Sequence, residues 1–161
     1  MYTNESLNAL KRAETSFIFE KFDLEDAYKL GNMLYEQGKK EIKPIAVRIV
    51  LDDLIVYQAF MPGTNEVNNG WMNRKCNTVK RTHGSSLRQA VENELFGTKY
   101  AWQQDPDHYA YCGGAFPIIV NDDFRGIVCI SGLPHLQDHR CLTEVIAKFL
   151  NKQPILIPVE A

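Results

Sequence analysis

The sequence predicts an α+β domain in which a five-stranded antiparallel sheet carries helices on its faces. Three observations predict it. Two pairs of apolar runs, at 45–60 and 115–131, are each joined by a short polar turn and read as β-hairpins. A further run at 15–22 alternates with period two, and the remaining segments place apolar residues at helical spacing. Hairpins impose antiparallel pairing, and helices must cover an apolar sheet face. The chain has no strand, Gly-rich turn and helix in succession, so a dinucleotide-binding fold has no support.

Along the chain, residues 4–14 read as a helix, with Leu7, Leu10 and Lys11 at i, i+3 and i+4. Thr15 to Phe22 gives the alternating strand. Asp23 is the N-cap of a second helix whose Leu24, Ala27, Tyr28, Leu30, Leu34 and Tyr35 follow helical spacing, and Gly38 ends it. Ile45–Leu51 and Leu54–Phe60 form the first hairpin across Asp52-Asp53, closed by Pro62-Gly63. Asn65 to Thr82 is helical, with Val67, Trp71, Lys75 and Val79 at four-residue intervals. Gly84 breaks the chain, and Ser85 or Ser86 caps a helix carrying Leu87, Ala90, Val91 and Leu95. Residues 97–112 form a long irregular stretch rich in aromatics, and connections of that length are usually functional or disordered. The second hairpin spans Ala115–Val120 and Arg125–Ser131. A last helix covers 136–151 with Leu142, Val145, Ile146, Phe149 and Leu150 inward, and Gln153 to Val159 is a proline-punctuated tail that reads as a short edge strand.

At 161 residues the chain suits a single domain over 1–161, given about 150 residues per domain. Lys and Arg number 18 against 20 Asp and Glu, a balance that excludes a dedicated nucleic-acid binder. No run approaches the ~20 apolar residues of a membrane span, and the N-terminus lacks the order of a signal peptide. Cys76, Cys112, Cys129 and Cys141 are far apart without a C-x-x-C pair, which reads as reduced thiols in a cytoplasmic protein.

Three constellations carry candidate chemistry. Trp71, Arg74 and Lys75 share a helix face, and an aromatic plane beside two cations would seat a planar anion; the alternative is a core Trp with snorkelling cations. Gly113-Gly114 allows close backbone approach and exposed amides, a nest for a carboxylate or phosphate, or else a tight entry into the sheet. Ser131-Gly132-Leu133-Pro134 leads into a helix whose free amides and dipole favour an anion. There His135 and His139 stand at i, i+4 beside Asp138. That spacing can serve a metal or haem iron, but without the inner Glu the structural reading is preferred: Asp138 capping and His139 bonded to backbone. Cys112 is the thiol to test as a nucleophile, and no catalytic pair can be named.

Pro62-Gly63-Thr64, Asn69-x-Trp71-x-x-Arg74-Lys75, Ser85-Ser86, Gly113-Gly114-Ala115-Phe116-Pro117-Ile118 and Ser131-Gly132-Leu133-Pro134-x-x-x-Asp138-His139 together resemble an uncharacterised small-protein branch of the haem-degrading-domain family, which includes GlcG-like and HbpS-like proteins. The resemblance runs from about Phe17 to Leu150. It implies a profilin-like three-layer α/β/α sandwich around five antiparallel strands, and a homo-oligomer. Relatives in the broader group bind haem or corrinoids through a histidine, while the branch has no settled activity. The expectation is therefore a small-molecule-binding oligomeric domain for an anionic planar ligand, with haem a candidate cofactor. Trp71, Arg74, Lys75, Gly113, Gly114, Ser131, Gly132, Asp138 and His139 would bind that ligand. An interaction scaffold without small-molecule chemistry and a haem-degrading enzyme are the alternatives.

Overall fold

Asp52 and Asp53 both adopt positive φ, 50° and 64°, the paired left-handed conformation that closes a two-residue hairpin with the twist of its strands. They join β1 (Ala46–Leu51) to β2 (Leu54–Phe60). The second hairpin joins β3 (Ala115–Val120) to β4 (Asp123–Ser131). In the computed structural model, which describes residues 1–160, these strands form one antiparallel sheet in the order β2-β1-β4-β3. Its central pair runs from Ala46 opposite Ser131 to Leu51 opposite Gly126.

The expected fifth strand is not formed, which corrects the five-stranded sandwich: among the described residues the domain is a four-stranded sheet with five α-helices. Helix α1 (Asn4–Ser16) takes the first part of the alternating run. Within this run only Phe19 bonds the sheet through its backbone, in a single parallel bridge to Val120: its N–H donates to the Ile119 carbonyl and its carbonyl accepts from the Asn121 N–H, both at 2.9 Å. The alternation marks burial rather than a ladder. Phe17, Phe19 and Phe22 all enter the core, where the Phe19 ring meets Phe22 at 4.9 Å and Phe149 at 5.9 Å. Asp23 then caps the next helix before a strand can extend.

Helix starts follow their side chains. Asp23 and Asn65 form capping boxes ahead of α2 (Leu24–Gly38) and α3 (Glu66–Thr82), and Ser85 accepts the Arg88 amide ahead of α4 (Ser86–Phe96). Helix α5 spans His135–Phe149. One sheet face, with Val47, Ile49, Phe116 and Ile130, is covered by α2 and α5 through Leu30, Leu34, Leu142 and Ile146. The other face, with Ala46, Ala115, Ile127 and Cys129, is covered by α3 through Met72, Cys76 and Val79. Helices α1 and α4 meet beside them through Leu7, Leu10, Leu87 and Val91.

On α3 the four-residue reading drifts, because four residues turn a helix by about 400° and each step rotates the next side chain ~40° off the face. Val67 and Trp71 are consequently 56% and 39% exposed, while Met72, Lys75, Cys76 and Val79 are inward. The 97–112 stretch holds a short 3₁₀ turn at Ala101–Gln104. It is fastened to α3 by Ala110 N–H to the Arg74 carbonyl (3.2 Å) and Asn77 Nδ2 to the His108 carbonyl (2.8 Å). The C-terminal tail is extended without forming the expected edge strand. Its Ile155 and Ile157 pack on the core, and the Ser6 hydroxyl donates to the Pro158 carbonyl.

Candidate functional site

Lys75 occupies an inward position of α3 and Asp138 the first turn of α5, and the two helices bring them together beneath the end of β4. Their charged atoms lie 3.0 Å apart, with side chains 3% and 2% exposed. Lys75 Nζ also donates to the Ile130 carbonyl at 3.1 Å, and the Leu133 N–H donates to Asp138 Oδ1 at 3.0 Å. Burial favours the neutral lysine, and the adjacent carboxylate reverses this, so the Lys75 pKa lies above its ordinary value. Burial likewise pushes the Asp138 carboxyl up, opposed by Lys75 and the Leu133 amide. With donors on both oxygens the carboxylate needs no proton, and the pair is ionic at neutral pH.

This pair explains the two glycines. A Cβ at Gly114, which has φ of +128°, would lie 2.5 Å from Lys75 Nζ and 2.7 Å from the Ile130 carbonyl oxygen. A Cβ at Gly113 would lie 2.2 Å from the His135 carbonyl oxygen. The diglycine therefore lets the chain pass between the ion pair and the start of α5. The Gly113 amide is not free for an anion, since it donates to His135 Nδ1 at 3.2 Å. Because a backbone N–H can only donate, Nδ1 of neutral His135 carries the lone pair and Nε2 the proton, and Nε2 faces the Tyr2 hydroxyl at 3.3 Å. Burial and Lys75 both lower the His135 pKa, which keeps the ring neutral.

Above the pair opens a hollow of about 380 Å³ lined by Trp71, Lys75, Cys112, Ser131, Leu133, His135 and Asp138. Trp71 is its aromatic wall. The Arg74 guanidinium stacks 4.2 Å from the indole centroid and bonds the Gly70 carbonyl at 3.1 Å, so its charge stays at the mouth without a carboxylate partner among the described residues. The cation beside the Trp71 wall is thus Arg74 alone, while the Lys75 charge is cancelled by Asp138. An ammonium has three N–H donors, and among the described residues nothing takes the third from Lys75.

The nine expected residues divide three ways. Trp71, Lys75, Ser131 and Asp138 line the hollow, and Arg74, outside that lining, stacks on Trp71. Gly113, Gly114 and Gly132 shape the backbone around it; a Cβ at Gly132 would lie 2.2 Å from the Pro44 carbonyl oxygen. His139 does not join them. It is buried against Phe116 with both ring nitrogens unpartnered, and burial lowers its pKa to about 4. The expected backbone bond to His139 is absent among the described residues. Asp138 accepts the Leu133 amide ahead of the helix, but no side chain caps α5 itself, so the expected Asp138 cap is not formed. No group of three His, Cys, Asp or Glu side chains able to hold a metal occurs among the described residues.

The profile described as "Haem degrading protein HbpS-like" matches residues 22–147. The chain belongs to that family. It is 30% identical over 162 residues to a UPF0303 protein of Brucella anthropi, covering 99% of this chain and 96% of that one. A UPF0303 protein of Streptomyces avermitilis is 33% identical over 146 residues, with 89% and 90% covered. Among solved structures, the Ybr137w protein superposes with a TM-score of 0.77 at 25% identity over 90% of this chain and 87% of that one. A PduOC:heme complex gives 0.70 at 18% identity over 84% and 99%, a likeness of fold. Three lining residues of the hollow lie outside the expected set: Cys112, Leu133 and His135. The sequence marked Cys112 as the thiol to test, His135 by its i, i+4 spacing to His139, and Leu133 only as part of the Ser131-Gly132-Leu133-Pro134 segment.

Proposed function

We propose that the protein binds a small planar molecule carrying an acceptor or anionic group in the hollow between α3 and the start of α5. The observation that carries this is the exposed Trp71 indole, backed by Arg74, forming one wall of a cavity whose floor offers an unused Lys75 N–H. An aromatic plane takes a flat ring, and the two donors take its polar edge. Family membership, and the PduOC:heme complex among the fold neighbours, make haem the first ligand to test. At about 380 Å³ the hollow is near the lower end of ligand pockets, ~300–1,000 Å³. A tetrapyrrole would insert one edge and lie over Trp71 with the remainder.

The iron itself finds no ready imidazole. His135 presents an N–H rather than a lone pair, and His139 is sealed in the core. Binding would therefore rest on ring contact and on the anionic edge, and haem degradation is not part of this reading. Two further exposed aromatic residues, Phe96 and Tyr100, 61% and 64% exposed, support assembly of several copies. No helix among the described residues is long and apolar enough to cross a membrane. A cytoplasmic setting with reduced thiols is part of the proposal. Haemin titration followed by absorbance tests it: saturable binding by the wild type should weaken several-fold or more in Trp71→Ala and Arg74→Ala. Equal affinity in all three proteins would overturn it.

A further inference from the structure

Arg48 stands on the α3 side of β1, 5% exposed, in a strand otherwise made of Ala, Val, Ile and Leu. Its Nε donates to Gln58 Oε1, and its two terminal nitrogens donate to Asn73 Oδ1 and Asn69 Oδ1, each at 2.6 Å. All three acceptors are neutral amides. A guanidinium has five N–H groups, so two remain beyond these bonds, and a buried charge without a counter-ion favours an anion beside it. The neighbouring cations are already matched: Lys80 pairs with Asp53 at 2.9 Å, Arg125 with Asp52 at 2.6 Å, and Lys75 with Asp138.

Two thiols supply the neighbouring group. Cys129 lies directly opposite Arg48 in the β1–β4 register, on the same sheet face. Its Sγ is 4.0 Å from the Met72 carbonyl oxygen, one helical turn before Cys76. Cys76 and Cys129 share the apolar cluster under α3. Cys76 also reaches a groove of about 430 Å³, which it lines together with Arg48, Asn73, Asn77 and Lys80.

We propose that Cys76 is a redox-active thiolate with Arg48 as its counter-ion, oxidised by small hydroperoxides, with Cys129 as its partner thiol. The Cys129 thiol and the Arg48 guanidinium lower the Cys76 pKa against the opposing effect of burial. Burial drives Cys129 far up, so it stays a protonated donor. Burial also raises Cys112, and pushes Cys141 up to about 12. Cys76 is 9% exposed and Cys129 is fully buried, which restricts the oxidant to a small molecule. The thiolate sulfur attacks one oxygen of the O–O bond. A sulfenic acid forms at Cys76, and the hydroxide or alkoxide leaving group takes up the proton that Cys76 gave to solvent on ionising. The Cys129 sulfur then attacks the sulfenic sulfur and its proton leaves with the departing hydroxyl as water. Two thiols and one hydroperoxide thus give one disulfide, one water and one water or alcohol. Each sulfur loses one electron and the peroxide gains two.

Two readouts on the reduced full-length chain test this. Limiting iodoacetamide at neutral pH, followed by peptide mass spectrometry, should label Cys76 several-fold faster than the more exposed Cys112. Arg48→Lys, which keeps a positive charge, should retain more of that preference than Arg48→Met. Hydrogen peroxide should remove two hydrogens from the wild type, mapping to a link between Cys76 and Cys129, and Cys129→Ala should stop at an oxidised Cys76. Labelling led by Cys112, or peroxide leaving both Cys76 and Cys129 as thiols, would overturn the proposal. Cys76 and Cys129 both lie outside the Trp71 hollow, so the peroxide readout does not depend on it.

Discussion

Replacing Asp138 by alanine removes one member of an ion pair whose side chains are 3% and 2% exposed and whose charged atoms are 3.0 Å apart. The Lys75 ammonium would be left in the interior with only the Ile130 carbonyl, and the Leu133 N–H would lose its acceptor. Breaking a buried pair on one side typically costs about 3–5 kcal/mol. For a domain of this size each kcal/mol shifts the melting temperature by roughly 2–4 °C, so the expected fall is about 6–20 °C. The double variant Lys75→Met, Asp138→Leu removes both charges together, and such replacements are often neutral or stabilising. It should recover most of the lost stability. Differential scanning calorimetry of wild type, Lys75→Met, Asp138→Leu and the double variant at pH 7 gives the coupling energy directly. A loss below ~1 kcal/mol in Asp138→Ala, or a double variant as unstable as the sum of the singles, would refute the ion-pair account.

The His139 imidazole ties stability to acid. Its folded pKa of about 4 lies below the unfolded 6.5, so the unfolded chain alone binds the proton as pH falls from 6.5 to 4. Up to about 3 kcal/mol present above pH 6.5 is lost across that window. Urea unfolding at pH 7 and pH 4.5 should show that loss reduced in His139→Leu; parallel losses in the two proteins would contradict it. Gly114→Ala forces a Cβ toward Lys75 and the Ile130 carbonyl at φ of +128°, and should cost at least about 1–3 kcal/mol. An unchanged denaturation midpoint in that variant would show that the diglycine passage is not tight.

The hairpins and helix starts were legible because each is written in neighbouring residues. Asp52-Asp53 between alternating runs specifies a turn, and Asp23, Asn65 and Ser85 each stand one residue ahead of their helices. The fifth strand was misread because period-two alternation reports which side chains are buried, not which backbone they bond. Phe17 and Phe19 satisfy the pattern by entering the core from a connector, and Phe22 joins them out of the alternation. At the site, the sequence marked the residue types but not the pairing. Lys75 and Asp138 are 63 positions apart, and their neutralisation of one another turns an expected cationic floor into a balanced one. The charge inside β1 carried a signal that was missed: Arg48 among aliphatic strand residues requires partners, and Asn69 and Asn73 on α3 provide them. His139 illustrates the reverse error, since a motif position at a helix start proved to be an apolar core contact.

The Trp71 indole is the reporter best placed to test whether the hollow receives a ligand. The chain has two tryptophans, so Trp102→Phe leaves Trp71 as the single indole. Its fluorescence lifetime should shorten saturably, to one haemin per chain, as haemin is added, with the midpoint moving several-fold higher when Arg74→Ala is combined. A Trp71 lifetime that does not respond, while haemin is retained elsewhere on the protein, would contradict the assignment of this hollow.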